Sequence, residues 1–154
     1  MNFIKNIDHD GQKVKLYHAD HIAVRAVAAL IFKNLSDQLR DGYMIPNINW
    51  SDFGNAQAVW LTDDNDNVLG GICFNYNQDY YLINIMCIFE TEKYSDHLHE
   101  HCMQQLKVLA KQSGLNGCFQ VIHHQDTKNL EKAANANMSL TFHMFTRSLI
   151  NDTI

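Results

Sequence analysis

No stretch of this sequence is apolar for long enough to cross a bilayer. Its longest apolar segments are broken by Asn, Arg or Lys, so no membrane span is expected. Basic residues are in the minority, 12 Lys and Arg against 17 Asp and Glu, for a formal net charge of −5. With no basic run and no RNA-binding aromatic signature, a nucleic-acid partner is not expected. The first residues, Met1-Asn2-Phe3-Ile4-Lys5-Asn6-Ile7-Asp8, lack the apolar core of a signal peptide, and the expected location is cytoplasmic. Cysteines are few (Cys73, Cys87, Cys102 and Cys118), none forms a CxxC pair, and each sits in an apolar segment. That usage fits reduced, buried thiols rather than a disulfide framework or a thiolate metal site. The single proline, Pro46, biases Ile45 towards extended backbone. What the chain does have is 46% hydrophobic and 19% charged residues over 154 positions, enough for one globular domain, 1–154.

Residues 1–12 read as a polar lead into a short strand at Val14-Lys15-Leu16-Tyr17. Asp20 is placed to cap a helix over roughly 21–39, with Ile22, Ala26, Ala29, Leu30 and Phe32 at helical spacing. An irregular segment, 43–50, and a turn at 51–55 follow. Three strands are then expected, Ala56–Thr62, Val68–Tyr76 and Tyr80–Phe89. The turns between them, Asp63-Asp64-Asn65-Asp66-Asn67 and Asn75-Tyr76-Asn77-Gln78-Asp79, are short enough for an antiparallel meander. Ser95 or Asp96 caps a helix over 95–113, whose apolar stripe is Leu98, Cys102, Leu106 and Leu109, and Gly114 stops it. A strand at Gly117–His123 comes too soon for a hairpin, which implies a parallel crossover. Asp126 or Thr127 caps a last helix over Lys128–Asn135, and Leu140–Leu149 closes the chain as a strand. The class is α+β, a mixed and mostly antiparallel central sheet flanked by helices, with its core at about 14–149.

In this order the elements resemble the GCN5-related N-acetyltransferase (GNAT) superfamily. The resemblance is carried by the Gly70-Gly71 hairpin, the strand-to-helix passage at 83–109, Val121-Ile122-His123-His124-Gln125-Asp126-Thr127-Lys128-Asn129 entering the last helix, and the terminal Phe145-Thr146-Arg147-Ser148-Leu149. It implies a bulged strand, ending here at Ile88-Phe89, whose backbone pairs with the pantetheine arm of acetyl-CoA or another acyl-CoA. It implies a helix start, aligned on Leu98, that takes the pyrophosphate, and Asn129 beside the cofactor arm. The acceptor would be an amine of a small molecule or peptide, and a homodimer is expected by analogy. In the family's phosphate loop an Arg or Gln and three glycines precede the helix; here Tyr94 holds the first position and Ser95, His97 and His99 hold the glycine positions. Glycine serves there because a phosphate must approach the backbone. The last helix, Glu131-Lys132-Ala133-Ala134-Asn135-Ala136-Asn137, has no Tyr to act as general acid, so no catalytic residue is assigned. A non-catalytic or regulatory protein on the same fold, with acyl-CoA binding lost, is the second reading.

Other residues carry chemistry of their own. Glu90 and Glu92, at the strand mouth, are either a general base or a solvated turn. His97 and His101 are four apart on a helix face and are placed to hold one divalent ion, giving a third reading as a metal-binding protein. No third ligand is fixed by the sequence, although His123 and His124 are candidates, and no metal site is assigned. His123-His124 ends a strand beside the central one, where sites occur in open sheets. Cys87 and Cys118 are weak nucleophile candidates because buried thiols are inert.

Overall fold

A computed structural model of the protein describes residues 2–20, 25–40 and 55–140. One sheet of six strands runs in the order β1 (Asn2–His9), β2 (Gln12–Ala19), β3 (Gln57–Thr62), β4 (Val68–Asn77), β5 (Leu82–Glu90), β6 (Gly117–Gln120). Neighbours from β1 to β5 are antiparallel, and β6 lies parallel to β5. Helices α1 (Arg25–Arg40), α2 (Asp96–Gln112) and α3 (Thr127–Asn135) complete the described elements. This is the mixed, mostly antiparallel sheet with helices that the sequence pattern predicts.

Alternation along the strands divides the interior in two. Val59, Leu61, Ile72, Phe74, Ile83 and Ile85 face α2, which inserts Leu98, Cys102, Leu106 and Leu109 as its stripe predicts. Ala58, Trp60, Cys73, Cys87 and Phe89 face α1, which inserts Val27, Ile31 and Leu35. Two bare positions on β4 make this close packing feasible. A Cβ on Gly70 would stand 2.5 Å from the Tyr94 ring, and one on Gly71 would stand 2.2 Å from the Val59 carbonyl oxygen. Gly71 is also the cross-strand partner of both Trp60 and Phe89, so two large aromatic side chains flank it.

Several expectations need correction. Residues 2–9 form a strand, not a polar lead, joined to β2 by Asp10-Gly11 with both residues at positive φ (50° and 79°). That is the geometry of a two-residue hairpin turn. Ile7 alone is buried in β1, so the strand shows no clean alternation. In α1, Ala26, Ala29 and Phe32 face outward and the buried stripe is Val27, Ile31 and Leu35. The segment is apolar on nearly every side, so more than one helical stripe fits it. β5 starts at Leu82 because Tyr81 takes a left-handed conformation (φ 55°) that ends the preceding turn. β6 stops at Gln120, three residues short of the expected His123. The expected Asp20 cap, the 43–50 segment, most of the 51–55 turn and the terminal strand fall at or against residues outside the described set.

Gly71→Ala should lower the unfolding free energy by on the order of 3 kcal/mol, because its Cβ meets backbone that cannot step aside. Gly11→Ala meets open space and should cost only about 1 kcal/mol for the left-handed backbone. Denaturant midpoints of the two variants check the contrast; equal losses would contradict it.

Candidate functional site

β5 changes phase halfway along. Phe74 pairs with Ile85 and Cys73 with Cys87, so Met86 has no cross-strand partner and forms a β-bulge. Met86 and Cys87 consequently face the same side, towards α1. Parallel pairing with β6 ends at the neighbouring residue, Ile85 opposite Gln120, whereas pairing with β4 continues to Gly70 opposite Glu90. From the bulge onward, one edge of β5 is therefore not laddered to β6. Backbone N–H and C=O groups on such an edge are ready partners for an extended ligand. At the end of the paired stretch the Gln120 Oε1 is buried with no hydrogen-bond partner among the described residues.

Beyond Glu90 the chain is clamped before it enters α2. The Thr91 N–H and hydroxyl both donate to the Leu69 carbonyl, at 2.9 and 2.7 Å. Tyr94 lays its ring over Gly70, and its hydroxyl is hydrogen-bonded to His99 Nδ1 at 2.9 Å. Both side chains are buried. Burial, and then the Cys102 thiol, push the Tyr94 phenol well above its usual range. Burial, and then the Lys132 ammonium, pull the His99 imidazole down to about 4. Ser95 caps α2 by accepting the Leu98 N–H at 3.2 Å, so that N–H is committed to the helix start.

An open cavity of about 520 Å³ lies at this mouth, lined among others by Glu90, Tyr94 and Asp96 from the passage and by Lys128, Lys132 and Asn135 from α3. Glu90 holds Lys128 at 2.6 Å and Lys132 at 2.9 Å. Lys132 reaches Asp96 at 3.6 Å and lies 5.4 Å from the centre of the Tyr94 ring. The other Asp96 oxygen accepts from Asn135 at 2.7 Å. The Lys132 and Glu90 side chains are only 8% and 12% exposed, so this pair is shielded as surface pairs are not. Burial works to raise the Glu90 carboxyl, but the two lysines outweigh it and hold it below the usual carboxylate range. The first N–H groups of a helix have no intrahelical acceptor, and here the Asp96 carboxylate supplies the negative charge favoured at the helix start.

The sequence-predicted residues fall unevenly around this mouth. Ile88 and Phe89 lie on the open half of β5 with their side chains in the two cores, so what they offer a ligand is backbone. Leu98 packs into the first core. Asn129 donates its side-chain amide to Asp126 Oδ2 at 2.7 Å and its N–H to Oδ1, helping to close the α3 cap. Glu90 is an ion-paired anchor rather than a solvated turn, while the exposed Glu92 lines the cavity. Neither His97 nor His99 lines it. His123 and His124 stack on each other 4.5 Å apart, and His123 Nδ1 accepts the Gln125 N–H. Among the described residues Cys73, Cys87 and Cys102 are buried and free, and burial raises the thiols of Cys73 and Cys102 to about 12. Lys128 and Lys132 were the missed site residues; their spacing of four on one helix face was the available signal.

No protein-family model matches the chain, and no curated protein matches it by sequence. Solved structures do match in fold. An aminoglycoside acetyltransferase from an uncultured soil metagenomic sample, crystallised with trehalose, aligns with a TM-score of 0.62 at 11% identity, covering 88% of this chain and 96% of its own. A ribosomal-protein-alanine N-acetyltransferase from Brucella melitensis biovar Abortus 2308 aligns at 0.61 and 10% identity, covering 88% and 99%. AAC(6')-Iy bound to the bisubstrate analogue CoA-S-monomethyl-acetylneamine aligns at 0.58 and 12% identity, covering 88% and 97%. The fold is that of the GNAT acetyltransferases, as the resemblance implied.

The His99 environment has a pH signature. A histidine depressed on folding binds fewer protons than in the unfolded chain, so its stability contribution is complete above about pH 6.5 and is lost as pH falls towards 4. Relative to His99→Gln, the wild-type protein should lose roughly 3 kcal/mol across that window. Urea unfolding at stepped pH reads this difference, and parallel curves for the two proteins would refute it.

Proposed function

We propose that the chain is an acyl-CoA-dependent N-acyltransferase, and the observation that carries this reading is the coincidence of the Met86 bulge with the end of β5–β6 pairing. That coincidence leaves a strand edge suited to the amides of a pantetheine arm, ending at a helix start and two lysines. Acyl-CoA would supply an activated thioester. The acceptor amine attacks the carbonyl carbon, the C–S bond breaks, and the thiolate leaves with coenzyme A while the amine loses a proton. Backbone of Ile88 and Phe89 holds the arm and sets the carbonyl's direction. The turn of α3 that carries Asn129 lies beside the arm. Glu92 is the better placed carboxylate to take the amine proton, directly or through water, because Glu90 is committed to two lysines.

The phosphate end fits differently from a glycine-rich loop. Lys128 and Lys132 can receive phosphate oxygens once the Glu90 carboxylate gives them up, so Glu90 acts as an internal stand-in for the ligand's charge. The structural neighbours acting on aminoglycosides and on a ribosomal-protein alanine support an amine acceptor, of either small-molecule or peptide type.

One set of observations favours a second reading, a non-catalytic protein on the same fold. The mouth is occupied by its own charges, with Asp96 at the helix start and Glu90 on both lysines. Isothermal titration with acetyl-CoA and with coenzyme A separates the two. The acyltransferase reading expects binding that weakens about tenfold in Lys132→Ala and severalfold in the exposed Lys128→Ala, and that tightens in Glu90→Gln. No heat at millimolar ligand in the wild type and in Glu90→Gln would sink it and leave the non-catalytic reading.

A further inference from the structure

Among the described residues, two buried side-chain oxygens have no hydrogen-bond partner, Thr62 Oγ1 and Gln120 Oε1. Their settings differ. Thr62 is laddered on both sides, to Lys15 of β2 and to Val68 of β4, so no strand edge is free beside it. Gln120 is the last residue of β6, opposite Ile85, and β5 runs on without a β6 partner to Glu90. The histidine rings of His9, His97 and His101 carry no comparable signal. No three His, Cys, Asp or Glu side chains among the described residues are placed to hold a metal ion.

A buried amide oxygen with nothing to accept from is costly, and native folds keep few of them. Cys118 packs against the α2-facing core, and alternation along β6 puts Gln120 on that same face, with Ile83 and Ile85. Its paired residue, Ile85, is apolar and offers no side-chain donor. An extended ligand laid along the unladdered part of β5 takes the place that a longer β6 would have held. Its inner end then abuts Gln120. At about 3.3 Å per residue, the strand from Ile85 to Glu90 spans about 16 Å, which separates that inner end from the lysines at the mouth. A pantetheine arm carries amide N–H groups along its length, and its thiol end lies farthest from the nucleotide.

We propose that Gln120 is the side-chain acceptor for the amide N–H nearest the thioester of a bound acyl-CoA, and so recognises the arm rather than the nucleotide. This rests on the acyl-CoA reading of the β5 edge. In the free protein the oxygen stays unpaired, and the ligand supplies the missing donor. The fold therefore carries a cost at Gln120 that binding relieves, which sets stability against recognition at this one residue.

Isothermal titration and thermal melting of the full chain test this with Gln120→Met, which replaces the amide by an apolar group of similar length. The ligands are acetyl-CoA and phosphoadenosine diphosphate, the nucleotide fragment of coenzyme A that lacks the arm. Gln120→Met should weaken acetyl-CoA binding about fivefold to tenfold and leave the affinity for the fragment unchanged. Without ligand, its melting temperature should equal or exceed that of the wild type, because an unpaired buried acceptor has been removed. A melting temperature lowered by several degrees, or a variant that does not fold, means that the oxygen is paired within the protein and overturns the proposal. Acetyl-CoA binding at wild-type strength in Gln120→Met overturns it too, as does equal weakening of both ligands. Acetyl-CoA that fails to bind the wild type removes the acyl-CoA reading itself, and the proposal with it.

Discussion

The contact on which the rest of the structure turns is the Tyr94 ring lying on the bare backbone of Gly70. It joins three things that the chain has to align: the end of β5, the centre of the α2-facing core, and the first turn of α2. A side chain at Gly70 would occupy the ring's place, so the two residues define one packing choice. The phenol then reaches His99, one turn into the helix, so the direction in which α2 leaves the sheet is fixed by a buried hydrogen bond as well as by apolar contact. On the other side of β4 the same economy operates at Gly71, where the space goes to Trp60 and Phe89. Two adjacent glycines thus let one strand carry large aromatic side chains on both faces.

The charged mouth is best understood as a cost that the fold has already met. Taking Lys132 out of water is expensive, and the Glu90 and Asp96 carboxylates offset that cost. Any anion that enters has to replace those partners one for one rather than fill an empty cradle. His97 and His99 do not line the mouth: His99 is hydrogen-bonded to Tyr94 in the interior, and the ring of His97 faces His9 on β1.

Much of the fold was legible because its signals are local. The Asp63 carboxylate takes the N–H groups of Asn65 and Asn67 within its own turn, and Ser95 and Asp126 cap helices a few residues away. The stripe on α2 alternates with polar residues and has one reading. In α1 the apolar residues run around the helix, so which face is buried is decided by the sheet. The Asp10-Gly11 turn was readable as a hairpin signal, but β1 is an edge strand with a single buried residue, and pattern alone understates it. The site was less legible for the same reason. Lys128 and Lys132 are visible as a pair, yet their partner Glu90 is on β5, and His9 meets His97 and His101 only through the sheet's order. The bulge was hidden inside an unbroken apolar run, where a change of phase leaves no polar mark.

Met86 can be considered by subtraction. Taken out on paper, it leaves Ile85, Cys87, Ile88, Phe89 and Glu90 alternating without a break, and every pair with β4 stays as it is. The two cores on either side would keep their faces. The extra residue is therefore not what the alternation needs; it is surplus to the ladder. A surplus residue in a central strand is held at the cost of an unpaired position, and its mechanical effect is to bend and twist the strand. In this protein that effect falls one residue beyond the last β5–β6 pair, Ile85 opposite Gln120. The end of their pairing is marked in the chain by one residue too many.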